Sequence, residues 1–334
     1  MMTKPQPDTI AELIQAVQSS QKYAAISEAM IRSIGLRELA ARRNLKEAIK
    51  ATKNKLHQVA GAYLDARLPY DEWLALLAAA ADDRPFDAAQ GRRPTTDPST
   101  PLRTGDRPPT TDPSTPLRAG DRPFDAAQGR RPTTDEALSN SVLGTQSSAL
   151  AQACLAIMRH HASTRERLPI LESFYASTLA SLGPVRSVLD LACGLNPLAL
   201  PWMPLAPDAS YYACDIYADM IAFLNGFFAQ AGIRGQACVC DLAAGAPDEQ
   251  ADLALVLKAL PPLEQQAKHA GRDLLRALNV RHILVSFPAH SLGGRGKGMA
   301  ENYEQRFRSL ADAEGWSIER FVFPTELAFL VRKD

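Results

Sequence analysis

The sequence predicts an α/β domain, a doubly wound seven-stranded sheet with a C-terminal antiparallel hairpin, behind an all-helical N-terminal region. Three observations predict it. Upstream of Arg186 the apolar residues follow helical spacing only, whereas from Arg186 onward short apolar runs alternate with helical segments. The runs at 186–191, 210–215, 235–240, 251–257, 281–287, 317–323 and 326–332 have the length and composition of strands. The last two are joined by Pro324-Thr325 alone, which allows a tight hairpin and leaves no room for a crossover helix. Intervening helices are expected near 197–203, 216–231, 263–278 and 300–314, the first of them short because of its prolines.

The N-terminal elements follow from the 3.6-residue period. Ile10 to Gln18 is a short amphipathic helix, Tyr23 to Ile34 a second, and Gly35-Leu36 a turn. A long helix is expected from Leu36 to about Leu68, with Leu45, Ile49, Leu56 and Val59 near one face and Arg42, Lys46, Lys50 and Lys53 on the adjacent one. Pro69 restarts a helix that reaches about Ala81; Leu143 to His161 and Leu168 to Leu182 give two more.

A repeat interrupts this pattern. Arg-Pro-Phe-Asp-Ala-Ala-Gln-Gly-Arg-Arg-Pro-Thr-Thr-Asp occurs at 84–97 and again at 122–135, and Thr-Thr-Asp-Pro-Ser-Thr-Pro-Leu-Arg at 95–103 and 110–118. Such a segment could be a repeat module or a proline-rich ligand for a partner, but ten prolines and few large apolar residues cannot offset the entropy of ordering, so 84–135 is expected to be a disordered insertion without catalytic residues. The chain thus divides into a helical region at 1–83, the insertion, connecting helices at 136–185 and the α/β domain at 186–334.

Lysine plus arginine equals aspartate plus glutamate at 37 each, so overall charge points to no polyanionic partner. Charge is concentrated locally instead. Between Arg32 and His57 eight basic residues face two acidic ones, among them Lys46, Lys50, Lys53 and Lys55, a density suited either to an ordinary solvated helix face or to RNA phosphates. Five cysteines, four of them in apolar runs, suit small buried hydrophobes in a reduced cytoplasm. Cys238-x-Cys240 has no second pair, so no metal is expected, and no apolar run is long enough to span a membrane.

The chemistry is concentrated at strand ends. Asp190-Leu191-Ala192-Cys193-Gly194 closes the first strand, at the edge where open α/β sheets bind ligands, and Ala192 and Gly194 let a ligand approach the backbone. The turn lacks the three glycines of a dinucleotide fingerprint. Asp215 and Asp241 close the next two strands, where carboxylates can accept ribose hydroxyls and an adenine amine. These features resemble the class I S-adenosylmethionine-dependent methyltransferase fold. After the fourth strand stands Leu257-Lys258-Ala259-Leu260-Pro261-Pro262-Leu263-Glu264, without the Asn-Pro-Pro-Tyr pattern of adenine-N6 chemistry, which leaves Lys258 and Glu264 as the polar groups facing a methyl donor. After the fifth, four glycines interleaved with Arg295 and Lys297 make a basic loop able to close on phosphate.

His161-Ala162-Ser163-Thr164-Arg165-Glu166-Arg167-Leu168, the Asp190 turn, Leu257 to Gln266 and Ser286 to Met299 together resemble the 16S ribosomal RNA guanine-N7 methyltransferases that confer aminoglycoside resistance, and Leu45 to Leu64 is similar to that family's RNA-binding region. The resemblance covers about 10–82 and 138–332. It implies a cytoplasmic, monomeric enzyme acting on guanine(1405) N7 in the decoding site of the 30S subunit, with S-adenosylmethionine as donor and neither DNA nor membrane as partner. It further implies cofactor contacts from Tyr63, Arg165, Asp190, Ala192, Gly194, Asp215, Asp241, Leu242, Leu257 and Gln266, with Arg165 on the methionine carboxylate. Lys258 and Glu264 would order the target pocket, Met299 would wedge against a flipped nucleotide, and Lys46, Lys50, Lys53, Lys55, Arg295 and Lys297 would hold phosphates. Ala192 stands where the family usually has glycine. A small-molecule methyltransferase and a catalytically silent ribosome-binding protein are the alternatives, separated by substrate and by cofactor binding.

Overall fold

The computed structural model describes residues 7–42, 44–59, 68–82, 148–289 and 299–333. They belong to one unit of the chain, 1–84 with 142–334. The repetitive insertion, Tyr63, Arg295 and Lys297 lie outside the described residues.

Seven strands form the predicted sheet: β1 (Ser187–Leu191), β2 (Ser210–Asp215), β3 (Gly235–Val239), β4 (Ala251–Leu257), β5 (Val280–Pro288), β6 (Ser317–Val322) and β7 (Glu326–Arg332). Their order is β3-β2-β1-β4-β5-β7-β6, with β7 antiparallel to both neighbours and the remaining pairs parallel. The five parallel strands therefore end at one edge, and β7 alone begins there. Alternation along β1 sends Leu189 and Leu191 into the core on one face of the sheet and Val188 into the core on the other. Asp190 shares the Val188 face, and is 1% exposed.

The helices are α1 (Pro7–Gln18), α2 (Glu28–Ala41), α3 (Leu45–Val59), α4 (Tyr70–Asp82), α5 (Ala149–Met158), α6 (Ala162–Arg167), α7 (Leu171–Thr178), α8 (Ala218–Ala231), α9 (Leu260–Gln266), α10 (Ala270–Ala277) and α11 (Met299–Glu314). Helices α1 to α3 pack on one another, and α4 packs against α5 and α8. One short antiparallel bridge, Ile26 with Tyr217, ties the N-terminal helices to the end of β2: the Ser27 N–H donates to the Ile216 carbonyl at 3.0 Å and the Ala218 N–H to the Ala25 carbonyl at 2.9 Å. No helix among the described residues is long and apolar enough to cross a membrane.

Several boundaries differ from the sequence expectation. Gly35 is not in a turn: it lies inside α2, buried, where a Cβ would meet Leu13 Cδ2 at 2.7 Å, so glycine there permits close packing of α1 on α2. Helix α2 starts at Glu28, where the Met30 N–H donates to the Ser27 Oγ, and Tyr23 sits instead in a 3-10 turn. The long helix is two, broken where Arg42 is extended; the Asn44 Oδ1 then accepts the Glu47 N–H at 2.9 Å and restarts the chain as α3. The segment expected as one helix over 263–278 is also two, split at His269, whose φ is +70°. The Asp241 carboxylate follows β3 by two residues rather than ending it. Cys154, Cys193 and Cys214 are buried as expected for small hydrophobes, whereas Cys238, on the edge strand β3, is exposed.

Candidate active site

The chain reverses sharply after β1. Ala192 and Gly194 both adopt positive φ, +49° and +52°, which turns the backbone across the ends of β1 and β2. The Cys193 N–H donates to the Cys214 carbonyl at 3.0 Å, and the Gly194 N–H to the Asp215 Oδ2 at 2.9 Å. A Cβ on Gly194 would fall 2.5 Å from the His161 ring, so position and conformation both call for glycine.

This turn opens into a cleft of about 910 Å³, counting the space open at its mouth. Asp190, Ala192, Asp215, Asp241, Leu242, Leu257, Lys258 and Gln266 line it, eight residues that sequence reasoning singled out from four separate segments. The Asp215 Oδ1 accepts the Ile216 N–H at 2.7 Å, so backbone donors hold both oxygens while lone pairs remain for a ligand. Burial pushes the Asp215 carboxyl upward and those N–H bonds oppose it. The Asp241 Oδ1 accepts the Ala243 N–H at 3.0 Å; its Oδ2 and the Gln266 Oε1 are buried acceptors without a protein partner. Unpaired buried acceptors are costly, and a ligand amine or hydroxyl is the natural remedy. The site therefore suits an adenosine moiety.

A second set of polar groups runs beneath the first. The buried Asp190 accepts from the Asn196 Nδ2 at 2.9 Å and from the Tyr211 hydroxyl at 2.7 Å; burial raises its pKa to about 6 against those bonds. The Asn196 Oδ1 in turn accepts from the Arg167 Nη1 at 2.9 Å and from the Tyr175 hydroxyl at 2.6 Å. Arg167 is 1% exposed and forks onto Glu326, its Nη2 donating to Oε1 at 2.7 Å and its Nε to Oε2 at 3.1 Å. Lys258, in a left-handed backbone conformation with φ +59°, places its Nζ 2.7 Å from the Glu166 Oε2 and 3.4 Å from the Glu326 Oε2. An unbroken polar chain thus joins Asp190, beside the turn after β1, to Lys258 after the end of β4.

Four expected site residues lie off the lining of the cleft. Arg165 is exposed, donates to the Arg159 carbonyl at 3.3 Å and does not line the cleft. Two residues along a helix are about 200° apart, so α6 turns Arg167 inward as it turns Arg165 outward. Glu264 is exposed as well; on α9 the residues Pro262, Leu263 and Gln266 face the cleft, while Glu264 faces a separate hollow with Phe287 and Tyr303. Met299 is half-buried as the first residue of α11 and is not among the lining residues. Gly194 acts through its N–H on Asp215 rather than as part of the lining.

Residues missed by sequence reasoning are Met30, His161, Arg167, Asn196 and Tyr217 on the lining, and Glu326 behind Arg167. Burial and the nearby cations Arg167, Arg165 and Lys258 lower the His161 pKa to about 4, so its ring is neutral at pH 7. On α3, Lys46, Lys50 and Lys55 are exposed and Lys53 half-buried. Lys46, Lys50 and Lys53 form one stripe; Lys55 lies about 180° round the helix from Lys46 and belongs to another face. Among the described residues no cluster of metal-ligating side chains occurs.

A parallel sheet with an antiparallel seventh strand, and strand-end acids around a cleft with unpaired buried acceptors, define a class I methyltransferase. The family model described as ribosomal RNA methyltransferase (FmrO) matches residues 128–330. A 16S rRNA (guanine(1405)-N(7))-methyltransferase of Micromonospora echinospora is 33% identical over 334 residues, all of both chains. One of Frankia casuarinae is 33% identical over 98% of this chain and 95% of its own. The crystal structure of the 16S rRNA methyltransferase RmtF in complex with S-adenosyl-L-homocysteine superposes with a TM-score of 0.69 at 26% identity, covering 99% of this chain and 100% of the other. The chain belongs to the ribosomal RNA methyltransferase family.

Proposed function

We infer that the chain is a 16S rRNA (guanine(1405)-N7)-methyltransferase that takes its methyl group from S-adenosylmethionine and acts, as a cytoplasmic monomer, on the assembled 30S subunit. The observation that carries this reading is the full-length relationship to enzymes of that activity, joined to a cleft with two unpaired buried acceptors. Asp215 holds the ribose hydroxyls and Asp241 the adenine amine. Arg167 lines the cleft in place of the exposed Arg165 and shapes its wall, its Nε, Nη1 and Nη2 already donating to Glu326 and Asn196.

S-adenosylmethionine supplies an electrophilic methyl on a sulfonium. Guanine N7 carries an in-plane lone pair that is unprotonated at neutral pH, so it displaces the neutral thioether directly and no proton has to be removed. The residues agree with that economy. His161 is buried and Lys258 is ion-paired, and the work left to them is orientation and electrostatics. The Lys46, Lys50 and Lys53 stripe, with Arg295 and Lys297, serves phosphate contacts, and Met299 steadies the extruded base. The product ring is cationic, which places like charge against a polycationic aminoglycoside and yields resistance.

Purified chain with labelled donor should transfer methyl groups to isolated 30S subunits, and cells expressing it should resist aminoglycosides with a 4,6-linked deoxystreptamine. Label on free small molecules with none on 30S subunits would overturn the ribosomal assignment, and absence of any donor binding would mark a silent ribosome-binding protein.

A further inference from the structure

Glu326 is wholly buried, yet it belongs to no pattern visible in the sequence. It is the first residue of β7, the strand that alone begins at the edge where the parallel strands end, and so its carboxylate arrives beneath the cleft. There it meets groups from three other segments: the Arg167 fork from α6, the Ser286 Oγ from β5 at 2.5 Å and the Lys258 Nζ from the end of β4 at 3.4 Å. The Lys258 N–H also donates to the Ser286 carbonyl at 3.0 Å, which fixes the lysine backbone in its left-handed turn. Arg167 and Lys258 both line the cleft, and both are at least 95% buried.

Two cations at the wall of a site meant for a positively charged donor would oppose binding. Their charge is cancelled from behind. Glu326 touches both, Glu166 touches Lys258 alone and is 35% exposed, and Asp190 reaches Arg167 only through Asn196. Among these carboxylates, Glu326 is the one shared directly by the two cations. Charge that a buried neighbour fails to cancel acts over several ångströms in such a medium.

We propose that Glu326 is a positioning residue that holds Arg167 and Lys258 and sets the charge of the cleft, so that the site accepts a sulfonium donor rather than favouring its neutral thioether product. The proposal rests on the methyltransferase reading. Its signature is selectivity, since a purely structural role would weaken donor and product alike.

The test is calorimetric titration of the purified full chain with S-adenosylmethionine and, separately, with S-adenosylhomocysteine. Glu326→Gln keeps the shape and removes the charge; the donor should lose roughly tenfold in affinity relative to the product. Adding Lys258→Met removes one of the two cations left without Glu326 and should restore much of the ratio. If Glu326→Gln does not fold, Lys258→Met alone decides, and its ratio should move toward the donor. A ratio that stays at the wild-type value in whichever variant folds overturns the proposal. Wild-type chain that binds neither ligand would instead overturn the methyltransferase reading beneath it.

Discussion

The cleft has two walls of opposite character. The wall built by β1, β2 and β3 ends in acceptors: Asp215 and Asp241 are held by backbone N–H groups, and Asp241 keeps one oxygen unpaired. The wall at the ends of β4, β5 and β7 carries cations, Lys258 after β4 and Arg167 from α6, already neutralised by Glu326 and Glu166. One wall offers acceptors to a ligand. The other is complete without one, and this difference teaches which residues bind and which hold the binding site in shape.

That contrast is broken most severely on the finished wall. Arg167→Met would leave Glu326 buried beside a single, longer ion pair, and removing one partner of a buried pair typically costs about 3–5 kcal/mol. Chemical denaturation should show that loss. On the open wall, Asp215→Ala should cost less, since relief of a buried charge offsets part of the loss of the acceptor for the Gly194 and Ile216 N–H groups.

Acid separates two buried groups that line the same cleft. His161 has a folded pKa near 4, below its ordinary 6.5, so the stability it contributes is present above 6.5 and lost as pH falls toward 4. Asp190, raised from 3.8 to about 6, has the opposite sign: its buried charge costs stability above pH 6, and the cost is relieved as pH falls toward 3.8. Each amounts to about 3 kcal/mol, so in the wild type they largely cancel. Melting temperature against pH should therefore fall more steeply on acidification in Asp190→Asn and less steeply in His161→Gln. Parallel profiles for both variants would contradict the assignment.

On the acceptor wall, Asp215→Ala should weaken S-adenosylmethionine about a hundredfold by titration, the loss of two charge-assisted hydrogen bonds to ribose. Smallest is the effect expected outside the cleft. Lys50→Ala with Lys53→Ala should weaken 30S binding about tenfold, reduce the salt dependence by roughly two phosphate contacts and leave donor affinity intact. A change in donor affinity would mean that α3 serves the cleft rather than the RNA.

The two walls were also unequally legible. All seven strands were visible because segments of strand length, rich in β-branched and aromatic residues or apolar throughout, alternate with helical spacing, and the acids at their ends declared the open wall. The finished wall was hidden. Glu326 follows an unremarkable hairpin, and its partner Arg167 is 159 residues away, so only the antiparallel register of β7 brings them together. Arg165 and Arg167 look alike in sequence, and the phase of a six-residue helix decides between them. Helix interruptions were hidden for a local reason: the Asn44 cap and the left-handed His269 are single-residue events inside continuous amphipathic spacing.

The central claim, that the cleft delivers a methyl group to one guanine nitrogen, is tested most directly by mapping the modified nucleotide. Isolated 30S subunits treated with the chain and labelled S-adenosylmethionine should carry 7-methylguanine at position 1405 of 16S rRNA, and Asp215→Ala should abolish it. A methyl group at another nucleotide or atom, or none on the subunit at all, would contradict the account.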